Sequence, residues 1–221
     1  MSLGLEAQPA LTRDAFVESP ANQQAVDTLD AWPDGLTNVL AVCGPRLSGK
    51  THLLTAWAER TGAVLLDGES AALAQMADLE GRLVALDEAD RVDDETLFHL
   101  INLAGGEGAG LLLASRQPPA SWPTDLPDLR SRLNAIRVVG LAEPDDALLK
   151  GMLTRFFGQN SVRPSPELLE YLVRRIERSA PAARAVVRRL IEAAAPQNRP
   201  VTRALAREVL EVDTKADDLF D

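Results

Sequence analysis

Residues 44–51 read Gly44-Pro45-Arg46-Leu47-Ser48-Gly49-Lys50-Thr51, a complete G-x-x-x-x-G-K-[ST] run. A loop of this kind turns its backbone N–H groups inward around phosphates. Its lysine reaches the terminal phosphates and its hydroxyl can hold Mg²⁺. Lysine is scarce in this chain: Lys50, Lys150 and Lys215 stand against twenty arginines, and one of the three falls where the pattern demands it. The flanks agree. Val39-Leu40-Ala41-Val42 reads as a buried strand before the loop, and Thr51-His52-Leu53-Leu54-Thr55-Ala56-Trp57 as a helix after it. Phosphates would then sit at a helix N-terminus, where the dipole favours anions.

A loop of this kind works with carboxylates. One at a neighbouring strand tip holds Mg²⁺, and a second group positions the attacking water. Leu86-Asp87-Glu88 closes an apolar run 37 residues after Lys50. Asp87 suits the first role, with Thr51 as its partner on the metal, and Glu88 suits the second. Ser115 ends another apolar run and is placed to reach a γ-phosphate or the water, although a plain strand-end serine would look the same. Arg130 and Arg132 lie two residues apart in Asp128-Leu129-Arg130-Ser131-Arg132-Leu133. Such arginines serve a surface ion pair, or stabilise the charge on a neighbour's transferring phosphate. Arg184 could fold back over the nucleotide, but by pattern alone it is one arginine among many.

The elements that must hold these groups follow from the apolar runs. Ala63–Leu66, Arg82–Asp87, Leu111–Ser115 and Ile136–Val139 join Val39–Val42 as short strands. Helical stretches lie between them: to about Arg60, over Ala71–Leu79, over Asp93–Leu103 and over Leu126–Leu133. This alternation predicts a parallel α/β sheet covered on both faces. Asn22 or Ser19 is expected to cap an earlier helix running to about Leu29, and Pro33-Asp34-Gly35 to turn the chain. After residue 143 the strand signals stop. Helices are expected over Pro144–Gln159, Pro166–Arg178, Ala182–Ala195 and Thr202–Val212. The organisation predicted is a flexible segment 1–13, a nucleotide-binding α/β domain 14–143 and an α-helical domain 144–221.

Composition narrows the classes. The 221 residues are 46% apolar, enough for a core, and hold no apolar run long enough to span a membrane. The start, Met1-Ser2-Leu3-Gly4-Leu5, has no secretory signal pattern. The single cysteine, Cys43, reads as a packed core thiol, and a cytoplasmic protein is expected. The net charge of −10 is uneven: residues 1–150 carry 11 basic and 23 acidic side chains, residues 151–221 carry 12 and 10. The acidic first part disfavours general DNA-backbone binding.

Taken together, these residues resemble the AAA+ ATPases, and within them the DnaA initiator clade. Gly49-Lys50-Thr51-His52-Leu53-Leu54 has the form that clade shows. Ser115-Arg116-Gln117-Pro118-Pro119 looks like its sensor 1 segment. Leu126–Leu133 looks like its box VII, which ends in Ser-Arg, and this puts the arginine-finger role on Arg132 ahead of Arg130. Ala183-Arg184-Ala185-Val186-Val187 lies where the clade carries its sensor 2 arginine, and Phe16-Val17 with Asn22 resembles the segment lining the adenine side. The resemblance spans roughly residues 14–212. It implies a P-loop AAA+ sheet followed by a small helical lid, with ADP or ATP and Mg²⁺ held by Gly44 to His52, Asp87, Ser115, Arg184 and Val17.

A core plus lid, with no helix-turn-helix domain before the chain stops at Asp221, is similar to the Hda family of DnaA homologues. That family binds the DNA-loaded sliding clamp and drives hydrolysis of the ATP held by DnaA, preventing re-initiation. Its own site usually holds ADP. The resemblance therefore implies DnaA and the clamp as partners, with head-to-tail pairing of two copies also open, and no membrane or direct sequence-specific DNA contact. The family's clamp-binding peptide begins with glutamine and is rich in leucine and proline. Met1 to Pro9 contain no good copy of it. The competing reading is a self-contained ATPase, a loader or remodeller of the DnaC kind, which the Asp87–Glu88 dyad would serve.

Overall fold

The computed structural model describes residues 11–33, 37–197 and 199–217. Residues 1–10 of the expected flexible segment 1–13 and most of the Pro33–Gly35 turn lie outside these. The chain forms two compact units, Met1–Ala142 and Glu143–Asp221.

The first unit alternates helix and strand: α1 (Gln23–Ala31), β1 (Val39–Cys43), α2 (Lys50–Thr61), β2 (Val64–Leu66), α3 (Gly68–Leu73), β3 (Leu83–Leu86), α4 (Asp94–Leu103), β4 (Gly110–Ser115), α5 (Pro127–Ala135) and β5 (Arg137–Gly140). The five strands form one sheet in the order β2-β3-β4-β1-β5, parallel throughout. The expected parallel sheet covered on both faces is what forms. Alternate residues of β1, β3 and β4 go to opposite cores, while Leu65 of β2 and Val138 of β5 stay exposed. Ala41, Cys43, Leu111 and Leu113 join Leu97, Leu100, Leu129 and Leu133 on one face. Leu40, Val42, Leu112 and Ala114 join Val26, Leu29, Leu54 and Trp57 on the other. All six residues of β4 are buried, which explains why the central strands read as continuous apolar runs rather than alternating ones.

Local chemistry sets the helix starts. Asp93 accepts from Thr96 N–H at 2.9 Å and opens α4. Asp67 and Ser70 form a reciprocal capping box that opens α3 at Gly68. This corrects the single helix expected over Ala71–Leu79. The cap starts it earlier, Ala74 turns extended, and a separate 3-10 turn, Met76–Leu79, buries Leu79. Asn22 also departs from expectation. It makes no cap bond to α1. Its Oδ1 accepts from Ser19 N–H and its Nδ2 donates to the Val17 carbonyl, both at 2.9 Å, so it ties the preceding segment into a loop.

The second unit is all helical: α6 (Asp146–Gln159), α7 (Pro166–Val173), α8 (Ala180–Ala194) and α9 (Arg203–Asp217). Asp145, Ser165 and Ser179 cap α6, α7 and α8. Leu149, Leu153, Phe157, Leu172, Val187 and Leu190 share its core. Among the described residues, no helix is long and apolar enough to cross a membrane.

Candidate phosphate-binding site

The loop Gly44–Gly49 joins the C-terminal end of β1 to the N-terminus of α2. β1 lies inside the sheet, with β4 on one side and β5 on the other, so the loop opens beyond the carboxyl ends of the strands, where open α/β sheets bind ligands. Two glycines are obligatory here. A Cβ on Gly44 would fall 2.2 Å from the Leu141 carbonyl oxygen. Gly49 has φ +100°, which L side chains rarely adopt. Gly49 is also the N-cap of α2 and offers no side-chain cap bond. Its carbonyl accepts the first helical bond, from Leu53 N–H at 2.9 Å. The amides of Lys50 and Thr51 precede that bond, so the helix itself supplies them no acceptor. The Ser48 hydroxyl is buried and has no hydrogen-bond partner. A buried orphan hydroxyl beside uncapped helix amides fits an anion with several acceptor oxygens.

Lys50, Thr51 and Asp87 lie close together beside the loop. Lys50 Nζ donates to the carbonyls of Gly44 (2.8 Å) and Pro45 (2.7 Å). Burial pushes its ammonium below the ordinary lysine range, and the Asp87 charge opposes that shift. Thr51 Oγ1 donates to Asp87 Oδ2 at 2.6 Å. Asp87 stands one residue past β3, its backbone N–H bonded to the Leu66 carbonyl at 2.9 Å. Thr51 and Asp87 thus bring two hard oxygen donors to one point. Mg²⁺ typically takes one or two carboxylates and completes its shell with water and phosphate oxygens, so this donor set suits it.

Glu88 is placed differently. Its backbone is left-handed, with φ +49°, and its N–H donates to Asp87 Oδ1 at 2.9 Å. Its carboxylate accepts from Arg91 at 2.7 Å. In the sequence Arg91 carries no motif signal beyond its position three residues after Glu88.

Ser115 sits at the tip of β4, buried, with its Oγ donating to the Gln117 carbonyl at 2.7 Å. Cys43 Sγ lies 3.4 Å from that hydroxyl and 3.6 Å from the same carbonyl. Burial pushes the Cys43 thiol up, in keeping with a packed, inert group. Trp122 Nε1 donates to Gln117 O as well, at 2.8 Å. Sequence patterns carry no signal for a backbone carbonyl in this role. The N-terminal segment reaches the loop through Phe16. A Cβ on Gly49 would lie 3.2 Å from the Phe16 ring, and that ring meets His52 edge-on at 5.2 Å. His52 Nε2 is 2.8 Å from the Thr12 carbonyl. Val17 is half-buried beside Phe16.

The two candidate finger arginines have different surroundings. Arg130 donates to the Trp122 carbonyl at 2.7 Å and to those of Ala120 (3.3 Å) and Thr124 (3.4 Å). Arg132 is exposed on α5, its guanidinium 5.1 Å from the centre of the Phe98 ring. Arg184, on α8 of the second unit, lies 4.5 Å from the Phe156 ring centre.

No protein-family model matches the chain. Among curated proteins, it is 28% identical to the chromosomal replication initiator protein DnaA of Caulobacter vibrioides strain NA1000, over 76% of this chain and 41% of that protein. It is 31% identical to DnaA of Caulobacter sp. strain K31, over 67% of this chain and 36% of the relative. The chain therefore spans about two-fifths of the length of these relatives. Among solved structures, domain III of Thermotoga maritima DnaA superposes with a TM-score of 0.76 at 18% identity, covering 92% of this chain and 97% of that one. The Thermotoga maritima RuvB branch migration motor gives 0.69 at 17% identity, covering 91% and 71%. A replication initiator DnaA bound to AMPPCP and single-stranded DNA gives 0.69 at 19%, covering 84% and 65%. At these identities the structural likeness is one of fold.

Proposed function

We propose that this chain, a DnaA-like AAA+ protein, binds ADP or ATP with Mg²⁺ and regulates replication initiation by promoting hydrolysis of DnaA-bound ATP together with the DNA-loaded sliding clamp. In this reading the 44–49 loop, Lys50 and the opening amides of α2 hold the phosphates, with the Ser48 hydroxyl beside them. Thr51 and Asp87 hold Mg²⁺, which when bound neutralises phosphate charge. Val17, Phe16 and His52 line the approach to the base, Ser115 is the sensor at the β4 tip, and Arg184 reports from the helical lid. A cytoplasmic location goes with this role.

The observation that carries the trans-acting role is the contrast between Arg130 and Arg132. Arg130 is committed to three carbonyls of the loop that precedes α5. Arg132 is exposed, and among the described residues its guanidinium rests on the Phe98 face. A finger must carry a free guanidinium to another molecule's γ-phosphate, where such an arginine is worth about 10³–10⁵ in rate. Arg132 meets that requirement and Arg130 does not. The DnaC-like reading, a self-contained ATPase, draws on the Asp87–Glu88 pair, but Glu88 is engaged by Arg91.

The test is hydrolysis of ATP pre-bound to DnaA, with and without this protein, in the presence of DNA-loaded clamp. A parallel sample carries a clamp-binding peptide joined to the N-terminus. Acceleration that disappears in Arg132→Ala supports the regulatory role. Steady ATP turnover by this chain alone, with no acceleration in either sample, sinks it in favour of the loader.

A further inference from the structure

Two arginines of the second unit meet over one aromatic ring. Arg175 follows the C-cap of α7 and places its guanidinium 4.0 Å from the centre of the Tyr171 ring. Arg203, the first residue of α9, places its own 5.5 Å from the same centre. Both arginines are exposed, while Tyr171 is buried in the helical core. Other exposed cations of this unit are matched by carboxylates. Arg178 pairs with Asp146 at 2.7 Å, Arg199 with Glu208 at 2.9 Å and Arg188 with Glu192 at 3.9 Å. Among the described residues, neither Arg175 nor Arg203 makes an ion pair. The fold gives a reason for only one of the two positions. A cation after the end of α7 is favoured by the helix dipole, but one at the start of α9 is opposed by it, and the first turn of α9 holds no acidic residue as an offset. Like charges drawn together from two helices also repel. The negative face of the ring offsets part of this, and an anion spanning both guanidiniums would offset the rest.

We propose that Arg175 and Arg203 form a sequence-independent contact for the phosphate backbone of a nucleic acid. The pair lies wholly within the second unit, so the proposal does not depend on how the 44–51 loop is read. A nucleic-acid strand carries one charge per nucleotide at a regular pitch, so neighbouring phosphates can meet both guanidiniums, each through two parallel N–H donors. Tyr171 is too buried to stack a base. Its part is to hold the two cations, and the bases go unread. An acidic peptide would have to order two flexible carboxylate side chains to make the same contact, which costs more conformational freedom. Residues 151–221 carry 12 basic and 10 acidic side chains, whereas residues 1–150 carry 11 and 23. The contact therefore falls in the part of the chain that does not repel phosphate. The overall charge of −10 keeps it weak, with a Kd on the order of 10⁻⁴ M at physiological salt.

The experiment titrates the full chain into short labelled duplexes of two unrelated sequences, and into their separated strands, and follows fluorescence anisotropy between about 50 and 200 mM salt. The proteins are wild type, Arg175→Gln, Arg203→Gln, the double variant, Arg175→Lys, and Arg188→Gln as a control that loses the same charge from a matched pair. NMR follows the Arg175 and Arg203 Nε–H signals as duplex is added. Each lost arginine is expected to flatten the plot of log affinity against log salt by about 0.9 on duplex and about 0.7 on single strands, equally for both sequences. Arg175→Lys should keep the wild-type slope, because a point charge still neutralises one phosphate. Both Nε–H signals should move. A loss on either nucleic acid supports the proposal, and the form with the larger loss is the one the pair fits. Wild-type affinity and slope in the double variant overturn it, as does an equal loss in Arg188→Gln, which would assign binding to overall charge. Wild type that binds neither form overturns it too. So does polyglutamate binding that the double variant loses while DNA binding is unchanged, which would assign the pair to an acidic protein segment.

Discussion

The Thr51 hydroxyl donates to the Asp87 carboxylate across 2.6 Å, joining the first turn of α2 to the tip of β3. These are the two donors a Mg²⁺ ion would share. Replacing either, as Thr51→Val or Asp87→Asn, is expected to abolish the advantage of MgADP over metal-free ADP. Groups that merely orient metal ligands are worth about 10–100-fold in affinity, so losing a ligand should cost at least that. Calorimetric titration of ADP with and without Mg²⁺ reads this directly, and equal Mg²⁺ dependence in both variants and wild type would remove the metal assignment.

Arg130 and Arg132 should separate in stability measurements. Arg130→Ala strips three backbone carbonyls of their guanidinium donor, and a bond from a charged donor is worth about 1.5–3 kcal/mol. Arg132→Ala loses one exposed cation–π contact, about 0.5–1 kcal/mol. Urea denaturation should therefore rank Arg130→Ala as the more damaging. The reverse order would contradict the division of labour drawn between them.

Three glycine-to-alanine variants form a graded series. Gly62 has φ +70° and nothing within 4 Å of an added Cβ, so Gly62→Ala reports backbone strain alone, about 1–2 kcal/mol. Gly49→Ala adds a 3.2 Å approach to the Phe16 ring, which can yield by a few tenths of an ångström. Gly44→Ala drives a Cβ to 2.2 Å from a backbone oxygen, which cannot. Thermal melts should fall in that order, with Gly44→Ala the lowest.

Acid should loosen the N-terminal segment first. Arg13 bonds Asp30 at 2.8 Å and Glu18 at 2.6 Å, and the guanidinium holds the Asp30 carboxyl below its ordinary value of 3.8. A carboxyl lowered on folding contributes stability that is present above its unfolded value and lost as pH falls through its folded value. Stability measured from pH 5 down to pH 2 should fall more steeply in wild type than in Arg13→Met, with the two curves converging at the acid end. Parallel curves would mean that the clasp contributes nothing.

Much of this was legible in the residues. The 44–51 loop is legible because its pattern is local: Gly44 is required by the Leu141 carbonyl, Gly49 by its positive φ, and the Gly-Lys-Thr run follows directly. The strands were found because β1, β3 and β4 are buried on both faces and need unbroken apolar runs. What escaped depends on contacts distant in sequence or on competing local bonds. Asn22 reads as a cap, yet its amide is captured by the backbone of Val17 and Ser19. Ala71–Leu79 has helical spacing, but a capping box upstream resets the phase and leaves the last turn separate. Spacing alone does not separate Arg130 from Arg132; the box VII resemblance favours Arg132, and the loop at Ala120–Thr124, folded back on α5, is what engages Arg130.

The carbonyl of Gln117 takes the Ser115 hydroxyl at 2.7 Å, the Trp122 indole at 2.8 Å and, more loosely, the Cys43 thiol at 3.6 Å. Gly44 N–H meanwhile bonds to the Ser115 carbonyl at 3.2 Å. One peptide oxygen is therefore a rivet through the ends of two neighbouring strands. A tilt of the β4 tip therefore bears on Gly44, the first residue of the phosphate loop, through the Ser115 carbonyl.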